Sequence, residues 1–249
     1  MRKPVMAGNW KMYKTPAETT AFFEKFRPLA GDSNHCEIVL CPPFTDLAAA
    51  VEAVRGSHIQ IGAQNIGWKK EGAFTGEISG PMIVAAGATH AIVGHSERRQ
   101  YFGETDETVL NRTVAALEFG LTPIVCVGER QEERESGQTE AVLVRQFQGG
   151  IAGLTERQFA RIVIAYEPVW AIGTGKTATP EMAAGAHRAI RGQVRAKYGK
   201  EAGEAIRILY GGSAKPDNIR TLMAQPEIDG VLVGGASLDP VSFASIVNF

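Results

Sequence analysis

The chain has 249 residues, enough for a well-buried core and within the range of one α/β barrel domain. Its 44% hydrophobic and 21% charged residues are ordinary for a soluble globular protein. The formal net charge of -1 excludes a global field that would draw the chain to nucleic acid or a membrane, so any anionic ligand must be held by local geometry. The stretch Met1 to Ala7 has no long apolar core, so no signal peptide is expected, and no run is long enough to span a bilayer. Cys36, Cys41 and Cys126 form an odd set without zinc-like spacing, which fits a reduced, cytoplasmic compartment and predicts no metal site.

One pattern recurs from end to end. A short apolar run is followed by small or polar residues and then by a longer amphipathic stretch. The runs are Val5–Trp10, Ile38–Cys41, Ile59–Ala63, Ala91–Gly94, Pro123–Val127, Ile162–Ala165, Ile206–Tyr210 and Gly230–Val233. Helical stretches separate them, among them Pro16 to Leu29, Thr105 to Phe119, Thr139 to Ile151, Pro180 to Tyr198 and Asp239 to Val247. The third connection is longer, because Gln64 to Glu77 is a glycine-punctuated loop. Repeated βα units imply a parallel sheet, since parallel strands need crossover connections. Eight of them in a chain of this length predict an α/β fold, a closed (β/α)8 barrel in a single domain, residues 1–249. An open doubly wound sheet is the alternative, but no glycine-rich dinucleotide fingerprint follows the first run. In a barrel the chemistry belongs where strands end and βα loops begin.

The first strand end, Gly8-Asn9-Trp10-Lys11, puts Asn9 and Lys11 on one face by alternation and Trp10 on the other. The fourth ends Gly94-His95-Ser96-Glu97, and Ser96 followed by Glu97 resembles a helix start. An imidazole there feels the positive end of the dipole, which favours its neutral form. Glu97 is a natural partner for Lys11 across the barrel. His35, His58, His90 and His187 read as ordinary structural histidines. The sixth run ends on Glu167, and Pro168 forbids the strand from continuing. A short segment with Trp170 and Ile172 follows, then Gly173 and Gly175. This reads either as a general base under a mobile lid or as a plain βα connection with a capping acid. Gly173-Thr174-Gly175-Lys176-Thr177 imitates the end of a phosphate-binding P-loop, but Trp170 stands where that motif needs its first glycine. The seventh and eighth strands end in paired glycines, Gly211-Gly212-Ser213 and Gly234-Gly235-Ala236-Ser237, where barrels frequently bind phosphate.

Taken together, Gly8–Met12, Gly72–Glu77, Gly94–Arg99, Tyr166–Lys176, Tyr210–Ser213 and Gly234–Leu238 resemble the triosephosphate isomerase family over essentially the whole chain. That family is a standard illustration of tuned acid–base chemistry and of loop closure. The resemblance implies interconversion of dihydroxyacetone phosphate and glyceraldehyde 3-phosphate, a step of glycolysis and gluconeogenesis, with no cofactor. It implies that Glu167 moves the proton, that neutral His95 and Asn9 polarise the carbonyl, and that Lys11 supplies positive charge. Glu97 matches an acid beside the site, its role open. Gly173, Ser213, Gly234 and Gly235 are implied phosphate donors, and Pro168, Val169, Trp170, Lys176 and Thr177 parts of a closing lid. The family is typically dimeric, which implies a homodimer with Met12, Phe74, Thr75 and Gly76 at the interface. Tyr13 stands where the family often has a smaller polar residue. Two other readings are a different phosphate-binding barrel and a non-catalytic binder on an inherited barrel. Both are disfavoured by the joint presence of Asn9, Lys11, His95 and Glu167.

Overall fold

A computed structural model describes residues 2–30, 33–172 and 177–249. Eight strands run parallel: β1 Val5–Asn9, β2 Glu37–Cys41, β3 Gln60–Ala63, β4 His90–Val93, β5 Thr122–Val127, β6 Val163–Tyr166, β7 Ile208–Tyr210 and β8 Gly230–Val233. They pair in sequence order and close, so the fold is a (β/α)8 barrel and not an open sheet. Closure is made by β1, which pairs Val5 with Glu37 of β2 on one side and with Gly230 of β8 on the other. At that seam a Cβ on Gly230 would stand 2.0 Å from the Val5 carbonyl oxygen, so the approach of the two strands demands glycine.

Alternation along each strand divides the core into two layers. Val5, Ala7, Val39, Cys41, Ile92 and Ile124 are among the residues that fill the barrel interior. Met6, Ile38, Leu40 and Val125 belong to the layer shared with the helices, where Trp10, Phe22, Phe23, Phe26 and Phe243 pack ring against ring. Helix starts follow local chemistry. Thr105 and Thr108 cap each other reciprocally at the head of Asp106–Glu118, and Asp239 caps Pro240–Val247 through the N–H of Ser242 at 2.8 Å. The helix expected to stop at Tyr198 runs on as Pro180–Ala205, broken at Gly199, whose φ of 88° lets the chain turn and resume.

The strand N-termini are tied by buried charge. Arg191 gives its guanidinium to Glu227 at 2.8 Å, to Asp229 at 2.7 Å and to the carbonyls of Gly203 and Ile206. Asp229 also accepts from the N–H of Ile208 and from Arg2. Such a charge tolerates burial because its donors are satisfied. Glu37 joins His90 at 3.1 Å and Arg207. The opposite rim, where the strands end, is left for ligand.

Candidate active site

β1 delivers Asn9 to that rim and then stops. Lys11 lies beyond the strand with φ 52°, a left-handed conformation that costs a non-glycine residue roughly 1–2 kcal/mol. The expected alternation therefore does not extend to Lys11. Three contacts hold it instead. Its N–H donates to Asn9 Oδ1 at 3.0 Å, its carbonyl accepts from Gln64 Nε2 at 2.8 Å, and its ammonium meets Glu97 at 2.5 Å. Trp10 turns the other way, fully buried, and donates to the carbonyl of Ser237 at 3.0 Å.

His95 caps the helix Ser96–Tyr101, with its Nδ1 accepting the N–H of Glu97 at 3.2 Å. Its Nε2 lies 3.0 Å from Glu167 Oε1. An Nδ1 that accepts carries no proton, so the neighbours assign a neutral ring that donates from Nε2 to an ionised carboxylate. Glu167 is 2% exposed, and its oxygens also accept from Ser96, from the N–H at 3.0 Å and from Oγ at 3.0 Å. Burial raises the carboxyl's proton affinity, but His95 and the two Ser96 donors outweigh it, and the net direction is down. For His95, burial favours the neutral ring, yet contact with Glu167 wins and the net direction is up. The dipole effect expected from sequence is thus opposed by a carboxylate that arrives from another strand.

A cavity of about 330 Å³ is lined by Asn9, Lys11, His95, Ser213, Gly234 and Gly235, with Tyr13, Ala171, Ile172, Gly211, Gly212 and Lys215 among its other walls. These residues come from five strand ends, and no carboxylate lines the cavity among the described residues. Ser237 is fully buried and holds the Gly234 turn through Oγ, which donates to the Gly234 carbonyl at 2.7 Å. Glu167 and Ser96 line a separate cavity of about 350 Å³ on the other side, with Gly94, Arg99 and Cys126. A Cβ on Gly128 would come 1.7 Å from the carbonyl oxygen of Glu167, so glycine lets β5 approach the carboxylate's backbone.

The segment after Glu167 is partly described. Pro168 has φ -68°, and Val169–Ala171 form a 3-10 turn. Trp170 Nε1 donates to Glu129 at 2.9 Å, Tyr166 OH to the same oxygen at 3.1 Å, and Arg134 reaches it at 3.2 Å while stacking on Trp170. Thr177 is exposed, and Gly173 and Lys176 lie outside the described residues. In the third loop Phe74 packs on Trp68 and Arg112 anchors the base through Glu77 at 2.9 Å. Met12, Phe74, Thr75 and Gly76 are all exposed, Met12 by 94%.

Sequence reasoning missed Ser96, Gln64 and Glu129. Glu129 was within reach, because it stands just past the end of β5, the same kind of position that singled out Glu167. Ser96 was read as a helix start, and nothing local reveals that its hydroxyl meets a carboxylate from β6. Among the described residues no group of three or more His, Cys, Asp or Glu side chains is placed to hold a metal, and no helix is long and apolar enough to cross a membrane.

A parallel barrel with a carboxylate–imidazole pair beside a glycine-walled, lysine-bearing cavity defines a class: barrel enzymes that move protons on small anionic substrates. Comparison with known proteins narrows it. Residues 4–249 match the family model described as Triosephosphate isomerase. A triosephosphate isomerase of Solibacter usitatus is 80% identical over the full length of both chains. One from Citrifermentans bemidjiense is 55% identical, covering 100% of this chain and 99% of its own. The crystal structure of the triosephosphate isomerase of Bartonella henselae superposes with a TM-score of 0.88 at 39% identity, covering 99% of this chain and 98% of that one. The chain belongs to the triosephosphate isomerase family.

Proposed function

We infer that the rim cavity and the Glu167–His95 pair interconvert dihydroxyacetone phosphate and glyceraldehyde 3-phosphate by proton transfer through an enediolate. One observation carries the assignment of roles. An ionised, buried carboxylate shares a hydrogen bond with an imidazole that lines a cavity walled by glycine turns, with no carboxylate in its lining among the described residues. Glu167 exchanges Ser96 for the substrate and takes a proton from one carbon, returning it to the next. His95 Nε2 and Asn9 donate to the substrate oxygen as it gains charge. Lys11 adds positive charge, and Glu97 keeps its ammonium in place. The turns at Ser213 and at Gly234-Gly235 offer backbone N–H groups to the phosphate, joined by Gly173. The substrate's own carbonyl is the electron sink, so no cofactor takes part.

The segment from Pro168 through Val169, Trp170 and Lys176 to Thr177 closes over the bound substrate as a lid and keeps water from the intermediate. What supports this is a stiff proline entrance and an apolar turn whose Ala171 and Ile172 line the cavity. The enzyme works as a cytoplasmic homodimer. Met12 at the rim and the Phe74-Thr75-Gly76 tip each meet the partner subunit. The exposure of two apolar side chains there supports this, since such groups gain most from being covered. A coupled assay in both directions on purified protein tests the reaction. Turnover is expected in wild type, and its absence would overturn the assignment.

A further inference from the structure

The net charge of -1 leaves a doubly charged substrate without long-range attraction, so any pull must come from the rim. Among the described residues two ammonium groups line the cavity, those of Lys11 and Lys215. They differ in what they have to offer. Lys11 is bound to Glu97 at 2.5 Å, so its charge is largely neutralised for anything approaching from outside. Lys215 is exposed and makes no ion pair among the described residues. Its position is nevertheless well defined by its backbone. The Lys215 N–H donates to Asn218 Oδ1 at 2.8 Å, and Asn218 Nδ2 donates to the carbonyl of Ser213 at 3.0 Å. That clasp holds Lys215 two residues beyond Ser213, on the turn assigned above to phosphate.

We propose that Lys215 is the electrostatic guide of the cavity: its exposed ammonium concentrates the phosphate dianion at the rim and feeds it to the turns after β7 and β8. This rests on the triose phosphate reading and adds to it a residue that governs encounter and affinity. Lys215 acts on encounter and takes no part in the proton transfer. A charge at the mouth of a cleft acts on capture, and its effect shrinks with salt because the Debye length falls from about 30 Å at 0.01 M to about 10 Å at 0.1 M.

The experiment measures kcat and KM against ionic strength for wild type, Lys215→Gln, Lys215→Arg and Lys215→Glu. The Gln variant should lose roughly threefold to tenfold in kcat/KM at low salt, with kcat within about twofold of wild type. Its dependence on ionic strength should be shallower, so the curves converge at high salt. Arg should restore the wild-type slope, and Glu should lose about the square of the Gln effect. Inorganic phosphate, titrated by calorimetry, should bind more weakly to the Gln variant by a similar factor. Parallel salt dependences for wild type and Gln would overturn the proposal, as would a fall in kcat with KM unchanged. The phosphate titration separates this from the reaction itself: a wild type that binds phosphate in a Lys215-dependent way but turns over no triose phosphate would sink the isomerase reading alone.

Discussion

Glu167 is held by three donors, and each is a reason for its carboxyl to stay ionised while buried. Glu167→Gln keeps the shape but cannot accept a proton. Turnover should fall by about 10² to 10⁴, with phosphate binding and the unfolding transition close to wild type. Activity within a few-fold of wild type would place the base elsewhere. The same substitution tests His95. Contact with the Glu167 carboxylate is what pushes the ring's proton affinity up against burial. Removing that charge leaves burial, which favours the neutral ring, opposed by the nearby Glu97 carboxylate, so the His95 pKa should drop. Ring ¹⁵N shifts followed against pH read this directly. An unchanged midpoint would mean that the carboxylate does not set the ring's charge state.

The segment that follows β6 is tied to the one that follows β5. A single oxygen of Glu129 receives Tyr166, Trp170 and Arg134, so the two βα connections share one buried carboxylate. Burying a charge is tolerable only while those donors remain. Glu129→Gln loses the ion pair and can match fewer of them. The Trp170 turn should loosen, seen as a change in tryptophan emission. Because a misplacement of about 1 Å can cost on the order of 10² in rate, kcat should fall although no group touching substrate has changed. A loosened turn should also admit water to the enediolate, so methylglyoxal and inorganic phosphate should rise relative to isomerised product. A slower reaction with the same product ratio would show that this anchor does not protect the intermediate.

The barrel separates its stabilising charges from its working ones. Glu37 sits at the start of β2, at the end remote from the cavity, and its hydrogen bond to His90, with Arg207 beside it, lowers its pKa from 4.5 to about 2. A depressed carboxyl stabilises the fold above its unfolded pKa. That contribution is present above pH 4.5 and is lost as the pH falls toward 2. Glu37→Gln should therefore unfold at lower urea at pH 7, and its stability should fall less steeply than that of wild type below pH 4.5. Activity should be unaffected. His187, held neutral by burial with a pKa of about 3, destabilises both proteins alike as the pH drops below 6.5, so it cancels in the comparison. Identical acid limbs would remove Glu37 from the account. Assembly is tested at Thr75. An arginine there would bring a charge to the proposed contact with a partner, at a desolvation cost. Thr75→Arg should yield monomers by sedimentation and a sharp loss of activity, because the Asn9–Lys11 segment beside Met12 loses the proposed support of the partner. A folded, fully active monomer would show that assembly does not organise the site.

Several features were legible in the chain itself because they are local. Period-two apolar runs, crossover stretches and paired glycines are written within a few residues of one another, and they predict both the barrel and the rim positions that Asn9, Lys11, His95, Ser213 and Gly234 occupy. The pairing of Lys11 with Glu97 could be anticipated from opposite charges at two strand ends. The grip of Ser96 on Glu167 could not, since the two are 71 positions apart and meet only because β4, β5 and β6 lie side by side in the closed sheet. The same holds for the direction of the His95 shift and for the convergence on Glu129. Even the φ of Lys11 depends on Gln64, which reaches back from the end of β3 to hold its carbonyl. Periodicity determined which residues arrive at the rim. Closure of the barrel decided which of them touch, and charge balance in a buried site depends on touching, because an ionised group out of water is worth only what its immediate partners supply.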